Sequence, residues 1–305
     1  MHNNSALGRH ESPLRSIEYT AQGGTPGGIM PFRVNTNVAS VFVQQNLTTS
    51  QRRLEGNFEK LSSGLRINRA SDDAAGLAVS EIMRAEIKSL RVATRNTADG
   101  INMVQVAEGG LGETTAILSR MRELAVQSSS GLLQAQERGY LATEFVALQT
   151  EMDRIAETTA FNGLQLGDGT NASVDIQVGQ FAAANNRLTV TLQDARSATL
   201  LVDTATVDLT TALTSQTAIT AIDTALDSVN TSRASYGAAQ NRLTTAMSNA
   251  ESYTEKLIAT ESTMRDVDFA SETADLSRNQ VFQQAGVAIL SQANQSPQAA
   301  LSLLQ

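Results

Sequence analysis

Apolar residues recur at spacings of three and four along most of this 305-residue chain, a pattern that predicts a mainly helical protein. One such stripe lies near the C-terminus, where Phe282, Ala285 and Ile289 fall on one face of a helix. A second begins at Val34 near the N-terminus. Each buried Leu, Ile, Val or Phe contributes roughly 1.5–3 kcal/mol, and an isolated helix is marginal in water. We therefore predict that the two terminal helices pack through Val38, Val41, Leu54, Phe58, Leu61, Phe282, Ala285 and Ile289.

The first half of the chain predicts two helices. Residues 35–63 keep helical spacing, and Gly64 follows where a C-cap glycine is expected. Residues 71–73, Ser-Asp-Asp, supply N-cap side chains for a helix that continues to about Gln127. A single heptad position of that helix carries Leu90, Val104, Leu111, Leu118 and Ala125.

After a break at residues 128–134, the second half predicts a shorter helix, a hairpin and another long helix. The shorter helix carries Phe145 and Met152 on its apolar face. Alternation over residues 174–178 and 188–192 predicts a β-hairpin. Residues 200–214 fit either a loop or a short strand. The long helix has its seam at Ile219, Ile222, Leu226, Val229, Tyr236, Leu243, Met247, Ala250 and Leu257, interrupted by Arg233, Gln240 and Thr254.

These elements predict a mainly α fold: a long antiparallel helical bundle or coiled-coil rod with paired N- and C-terminal helices and a small β-hairpin. The predicted segments are a disordered leader (1–30, a tag or upstream extension), the N-terminal helix (31–70), the N-terminal half of the rod (71–166), its hairpin and loop region (167–215), its C-terminal helix (216–264) and the C-terminal helix (265–305).

Composition excludes several functional classes. The formal net charge is −8, which opposes binding to nucleic-acid backbones. The chain has no Cys, and its two histidines, His2 and His10, both lie in the predicted leader. We therefore expect no disulfide, no metal, no cofactor and no catalytic triad in the folded body, and we predict that the protein is not an enzyme. No apolar run reaches the roughly 20 residues of a membrane span.

Four motifs carry a resemblance to a known family. They are LSSGLRINRASDDAAGLAVS (61–80), RELAVQSS (122–129), EMDRIAETTAFNG (151–163) and the last thirty residues, beginning LSRNQVFQQAG. In this order they resemble bacterial flagellin over residues 35–166 and 215–305. The resemblance implies a subunit that polymerises into the helical flagellar filament. Its terminal helices would form the inner tube and its rod the next layer. Because only about fifty residues (167–215) replace the outer domains, a minimal flagellin is expected.

The resemblance also implies a location and partners. Members are exported unfolded through the flagellar type III system to the cell exterior, which agrees with the absence of a cleavable signal peptide in the first thirty residues. The implied partners are further copies of the chain, an export chaperone, a cap protein and hook-junction proteins. The usual family start is similar to the segment beginning at Met30, so a leader of 29 residues would crowd the inner tube.

Many flagellins are also detected by a vertebrate toll-like receptor, and the resemblance places that contact, together with rod packing, on Arg120, Leu124 and Glu144. The neighbouring position is Ser119, where recognised members usually have Gln. The alternative is that Arg120 and Glu144 form a solvated face and that Leu124 is a seam residue.

Two other functions fit the same helical pattern. A hook-filament junction protein resembles flagellin at both ends but stops assembling after about one ring. A soluble coiled-coil binding module would form a compact dimer with protease-resistant ends. Growth of long fibres distinguishes the filament subunit from both.

Overall fold

The computed structural model describes residues 37–302, with side chains described for residues 37–295. The predicted leader and Val34 lie outside the described residues. The chain divides into two compact units. Unit 1 comprises Met1–Asn57 and Ala274–Gln305, and unit 2 comprises Phe58–Thr273.

The fold is mainly helical, as predicted. Within the described residues the helices are α1 (Val38–Ser63), α2 (Ala74–Ser128), α3 (Ala135–Thr158), α4 (Ala212–Arg265) and α5 (Phe269–Ser302). The strands are β1 (Ala160–Phe161), β2 (Leu164–Gln165), β3 (Ser173–Gln177) and β4 (Arg187–Thr191), with a short 3₁₀ turn at Ala184–Asn186. The predicted order of helices around a hairpin is confirmed, whereas the six segment boundaries stay a prediction.

Local signals at the helix ends have the predicted effect. Gly64 ends α1 with a φ of +72°, a left-handed conformation that favours glycine. The side chain of Asp73 caps α2 by accepting a 2.9 Å hydrogen bond from the backbone N–H of Gly76. In unit 2, the segment that follows α1 is hydrogen-bonded to the segment that precedes α5. The backbone N–H of Val267 donates to the carbonyl of Gly64.

The core of unit 2 lies between α2 and α4, which run antiparallel. The predicted heptad position of α2 is buried along its whole length. On α4 one of the two predicted seam positions is correct, since Ile222, Val229, Tyr236, Leu243, Ala250 and Leu257 are all buried.

The second seam position of α4 was predicted one residue too far along. Ile219, Leu226 and Met247 are only half-buried, and the fully packed position is instead occupied by Ala218, Ala225, Ser232 and Ala239. Small side chains let two helices approach closely, so they seal the seam without a large apolar residue. The predicted interruptions at Arg233 and Gln240 arise from this offset of one residue. The offset does not explain the interruption at Thr254, because the preceding Tyr253 is exposed.

The strands form two separate antiparallel pairs. The predicted hairpin is confirmed as β3 with β4, in a register that pairs Val174 with Val190 and Ile176 with Leu188. The β1–β2 pair was not predicted, and it turns through Asn162 and Gly163, both with positive φ. Residues 200–211 contain no strand, and α4 begins at Ala212, capped by Thr211.

Candidate functional site

Polar side chains make the hydrogen bonds between α1 and α5 in unit 1. The amide nitrogen of Asn279 donates to the amide oxygen of Asn57 at 3.5 Å, and both side chains are buried. The hydroxyl of Ser50 donates to the carbonyl of Asn279 at 3.4 Å. Nearer the chain ends, the side-chain amide of Asn37 donates to the carbonyl of Ala293 at 2.8 Å.

The facing residues of the two helices follow a three-four spacing, which defines the terminal seam. The seam is Ser40, Val43, Leu47, Ser50, Leu54 and Asn57 on α1, and Leu276, Asn279, Gln283, Gly286, Leu290 and Ala293 on α5. At its middle the helices are close, because a Cβ atom on Gly286 would lie 2.9 Å from a methyl carbon of Leu47. Within residues 37–57 and 274–295, the side chains that are less than a tenth exposed are Ser40, Asn57 and Asn279.

Large apolar side chains of unit 1 point to solvent instead. We call them the terminal apolar stripes. They are Val38, Val41 and Phe42 on α1, and Val281, Phe282, Val287 and Ile289 on α5, each more than half exposed. An open groove of about 500 Å³ runs beside the seam and is lined in part by Phe42, Phe282 and Ile289. Exposed apolar surface of this extent marks an interaction site.

The residues predicted to pack the terminal helices divide into two groups in the single chain. Leu54 and Leu61 are half-buried. The others are exposed: Val38, Val41, Phe58, Phe282, Ala285 and Ile289. On α5 the predicted residues Phe282, Ala285 and Ile289 each lie one position before a seam residue. They therefore flank the contact with α1 within the chain. That these eight residues pack the terminal helices stays a prediction.

Sequence reasoning missed the polar members of the seam because it followed large apolar residues. The signal was present, since Ser40, Ser50 and Asn57 continue the three-four spacing of Val43, Leu47 and Leu54. A polar residue that keeps the heptad phase of its apolar neighbours indicates a buried polar contact.

The second predicted site lies on α2 and α3 in unit 2. Arg120 donates to Glu144 through two nitrogens, at 2.8 and 3.0 Å, and to Glu123 at 2.8 Å. The hydrogen bonds to Glu123 and then to Glu144 raise the pKa of the Arg120 guanidinium. These side chains are about half exposed. Leu124, in contrast, is only 1% exposed and belongs to the core, and the hydroxyl of the exposed Ser119 donates to the carbonyl of Thr115.

Neither site contains the components of a metal centre. Among the described residues, no group of three or more His, Cys, Asp or Glu side chains is arranged to hold a metal ion. Within residues 37–302, no helix combines the length and the apolar character that a membrane span requires.

A helix pair that buries amides and a hydroxyl while large apolar residues face outward presents a surface for assembly, as expected of a helical structural protein. Residues 34–172 match the model of the bacterial flagellin N-terminal helical region, and residues 219–304 match that of the C-terminal helical region. The chain belongs to the bacterial flagellin family.

Two relatives compared by sequence agree with this assignment. A flagellin of Halalkalibacterium halodurans is 44% identical over 89% of this chain and 99% of its own length. The flagellar filament 33 kDa core protein of Treponema phagedenis is 40% identical over 89% of this chain and 99% of its own length. The crystal structure of Bacillus cereus flagellin is 33% identical, with a TM-score of 0.45, and covers 51% of this chain and 88% of that one. The relatives favour a filament subunit over a junction protein.

Proposed function

We propose that copies of this chain join through the terminal apolar stripes and so build the inner layer of a flagellar filament. The observation that carries the proposal is the burial pattern of unit 1: among residues 37–57 and 274–295 the most buried side chains are Ser40, Asn57 and Asn279, while seven large apolar side chains are more than half exposed. A helix pair with this distribution is stable only where its outer faces are covered. Other copies of the same pair supply that cover repeatedly, because a heterologous contact that does not close continues into a helical polymer.

The energetics agree with assembly. Completing the burial of a half-exposed Val, Phe or Ile contributes on the order of 1 kcal/mol. The stripes together offer several such side chains per copy. Each copy already in the polymer presents the same surface to the next, so the gain is repeated along the filament while the entropy of ordering α1 and α5 opposes it.

The test compares two matched phenylalanines. Phe282, 54% exposed, lies in a terminal apolar stripe, and Phe181, 57% exposed, lies in the β3–β4 loop of unit 2. Filament seeds are added to the chain from which residues 1–29 have been removed, and fibre length is followed by electron microscopy. Phe282→Ser is expected to slow growth about tenfold or more, equivalent to at least about 1.4 kcal/mol, whereas Phe181→Ser stays near the parent. Equal growth of both variants, or no fibres from the parent, contradicts the proposal.

The export route and partners form a further part of the proposal. An exposed apolar face on α5 suits an export chaperone that covers it before assembly, followed by passage through the flagellar type III channel and insertion under a cap at the hook-junction proteins. Secretion by cells with an intact flagellar export apparatus and by cells without one separates this route from others. Equal amounts of the chain in both media would exclude it.

Receptor recognition is a second candidate function, favoured by the exposed Arg120–Glu144 pair. Arg in an accessible ion pair offers planar donors and stem area to a partner. The buried Leu124 then contributes by holding α2 in place. In a reporter cell carrying the toll-like receptor, Arg120→Ala is expected to lower potency about tenfold. Arg154→Ala, which removes an exposed Arg paired with Glu151 on α3, is the control. Equal potency of both variants removes Arg120 from the contact.

A further inference from the structure

The buried polar pair in the terminal seam has a cost that packing does not explain. Asn57 and Asn279 are 8% and 9% exposed, and their 3.5 Å hydrogen bond is longer than the usual range of about 2.7–3.2 Å. Burying an amide is unfavourable unless its groups are bonded, and leucines at both positions would contribute more to stability. A polar pair that lowers stability at the centre of a helix contact instead limits which arrangements are possible.

Sliding one helix along the other shows what the pair excludes. A slide of one turn in one direction places Asn57 against Leu276 and Asn279 against Leu54, so both amides face apolar side chains. A slide in the other direction brings Asn57 to Gln283 but carries Asn279 to the next leucine of α1. In each shifted register at least one buried amide loses its partner, which is strongly unfavourable.

Two further contacts occur in the same register at other points, but each is accepted by a backbone carbonyl, a group that recurs at every turn and does not select the register by itself. Ser50 reaches the carbonyl of Asn279, and Asn37 reaches the carbonyl of Ala293. The close approach of Gly286 to Leu47 lies between them. The half-buried leucines and valines, in contrast, are similar along both helices and discriminate weakly between registers.

We propose that the Asn57–Asn279 pair determines the specificity of the terminal seam. In one register, the pair favours binding of an α5 helix that carries a hydrogen-bonding side chain opposite Asn57. It disfavours binding of a helix that carries an aliphatic side chain there. The α5 helix of this chain or of an identical copy satisfies the condition. The inference goes beyond filament formation because it concerns which helix is accepted, and it rests on the proposed function only for the assembled state.

The test measures the register directly with spin labels on the full chain. The absence of Cys allows Arg52→Cys and Gln292→Cys, both at exposed positions, to be labelled uniquely. Arg52 lies five residues beyond Leu47 and Gln292 six beyond Gly286, so the labels are offset along the axis by roughly 16 Å at 1.5 Å per residue. Pulsed electron resonance gives the distance distribution for dilute soluble chains and for labelled chains assembled in excess unlabelled chain.

Three backgrounds are compared with the parent. Asn57→Leu with Asn279→Leu removes the polar pair. Asn57→Asp with Asn279→Lys replaces it by an ion pair that again requires one register. Asn46→Leu with Asn294→Leu changes two exposed asparagines of the same helices and serves as the composition control.

The parent, the ion-pair variant and the control are each expected to give one distance wherever the helices are paired. The leucine variant is expected to add populations displaced by about 5 Å, one helical turn. A single parental distance in the leucine variant overturns the inference, as does a broad distribution in the parent in both states. Fibres that fail to form count against the proposed function instead, and a broad distribution from the soluble parent then overturns the inference as well.

Discussion

At the residue scale, Asp194 organises the loop that follows β4. Its carboxylate accepts hydrogen bonds from the Arg196 guanidinium at 2.8 and 3.0 Å and from the Thr199 hydroxyl at 2.6 Å. These bonds, led by the one from Arg196, lower the pKa of Asp194 to about 2 from an ordinary value of 3.8. A carboxylate held in this way stabilises the folded state only while it is ionised.

The depressed pKa predicts the pH range of that contribution. Because the folded pKa is lower than the unfolded one, the stabilisation is complete above the unfolded value of about 4 and is lost as the pH falls through about 2. We expect Asp194→Asn to lower the free energy of unfolding at pH 7 by about 1–3 kcal/mol. The difference from the parent should shrink between pH 4 and pH 2 in denaturant titrations.

Asp227→Asn on the exposed side of α4 is the control, and it should change stability by less than about 0.5 kcal/mol at either pH. A difference between Asp194→Asn and the parent that stays constant down to pH 2 would mean that the carboxylate charge is not the source of the stabilisation.

Leu124 gives a second prediction at this scale. It is 1% exposed, whereas Leu132, in the loop between α2 and α3, is 92% exposed. Leu124→Ala should therefore lower the free energy of unfolding by roughly 2–5 kcal/mol through lost burial and a residual cavity. Leu132→Ala should change it by less than about 0.5 kcal/mol. Urea unfolding followed by circular dichroism measures both, and similar small effects would refute the assignment of Leu124 to the core.

Sequence reasoning at the residue scale succeeded where burial follows size. The large side chains at the seam positions of α2 and α4, such as Leu118 and Leu243, were identified by spacing and are fully buried. The heptad phase of Asn57 indicated its burial, but its partner Asn279 could not be identified, because the two residues are more than two hundred positions apart.

At the element scale, the seam of α4 shows why small residues are hard to read. Ala225 is 1% exposed, while its larger neighbour Leu226 is only half-buried. A pattern search assigns the seam to the leucine, although close approach of α2 leaves room only for the alanine. The heptad spacing indicates that a seam exists, but the volume of the side chains alone does not indicate which residues occupy it.

This correction predicts that two neighbouring substitutions destabilise the protein to different extents. Ala225→Leu should overpack the α2–α4 contact and lower the free energy of unfolding by about 1–3 kcal/mol. Leu226→Ala should cost no more than about 1 kcal/mol, since much of its side chain already meets solvent. Thermal unfolding compares the two, and a greater loss from Leu226→Ala would restore the seam predicted from the sequence.

The β1–β2 pair was missed for a different reason. The Asn162-Gly163 dipeptide is a strong signal for a two-residue hairpin, and both residues adopt the positive φ that such a turn requires. The flanking strands have only two residues each, so no alternation of apolar and polar positions is visible. The β3–β4 hairpin was predictable because each of its strands has five residues.

At the scale of the whole molecule, the two units differ in how they are stabilised. Unit 2 has a large apolar core along α2, α3 and α4 and a separate small cluster around Leu90 and Leu257, supported by ion pairs between α2 and α4 such as Arg84–Glu261 and Arg122–Asp223, both at 2.6 Å. Those pairs could not be predicted, because they depend on the exact alignment of two helices far apart in sequence. Unit 1 has a polar seam and outward apolar stripes. We therefore expect unit 2 to be stable in the isolated chain and unit 1 to gain most of its stability from other copies.

Hydrogen exchange measured by mass spectrometry tests that expectation most directly. In dilute chain, backbone amides of residues 38–57 and 274–295 should exchange rapidly, while those in the buried parts of α2 and α4 exchange slowly. After assembly into fibres, the backbone amides of the terminal segments should become as protected as those of α2 and α4. Full protection of both terminal segments in the dilute chain, unchanged by assembly, would contradict the account.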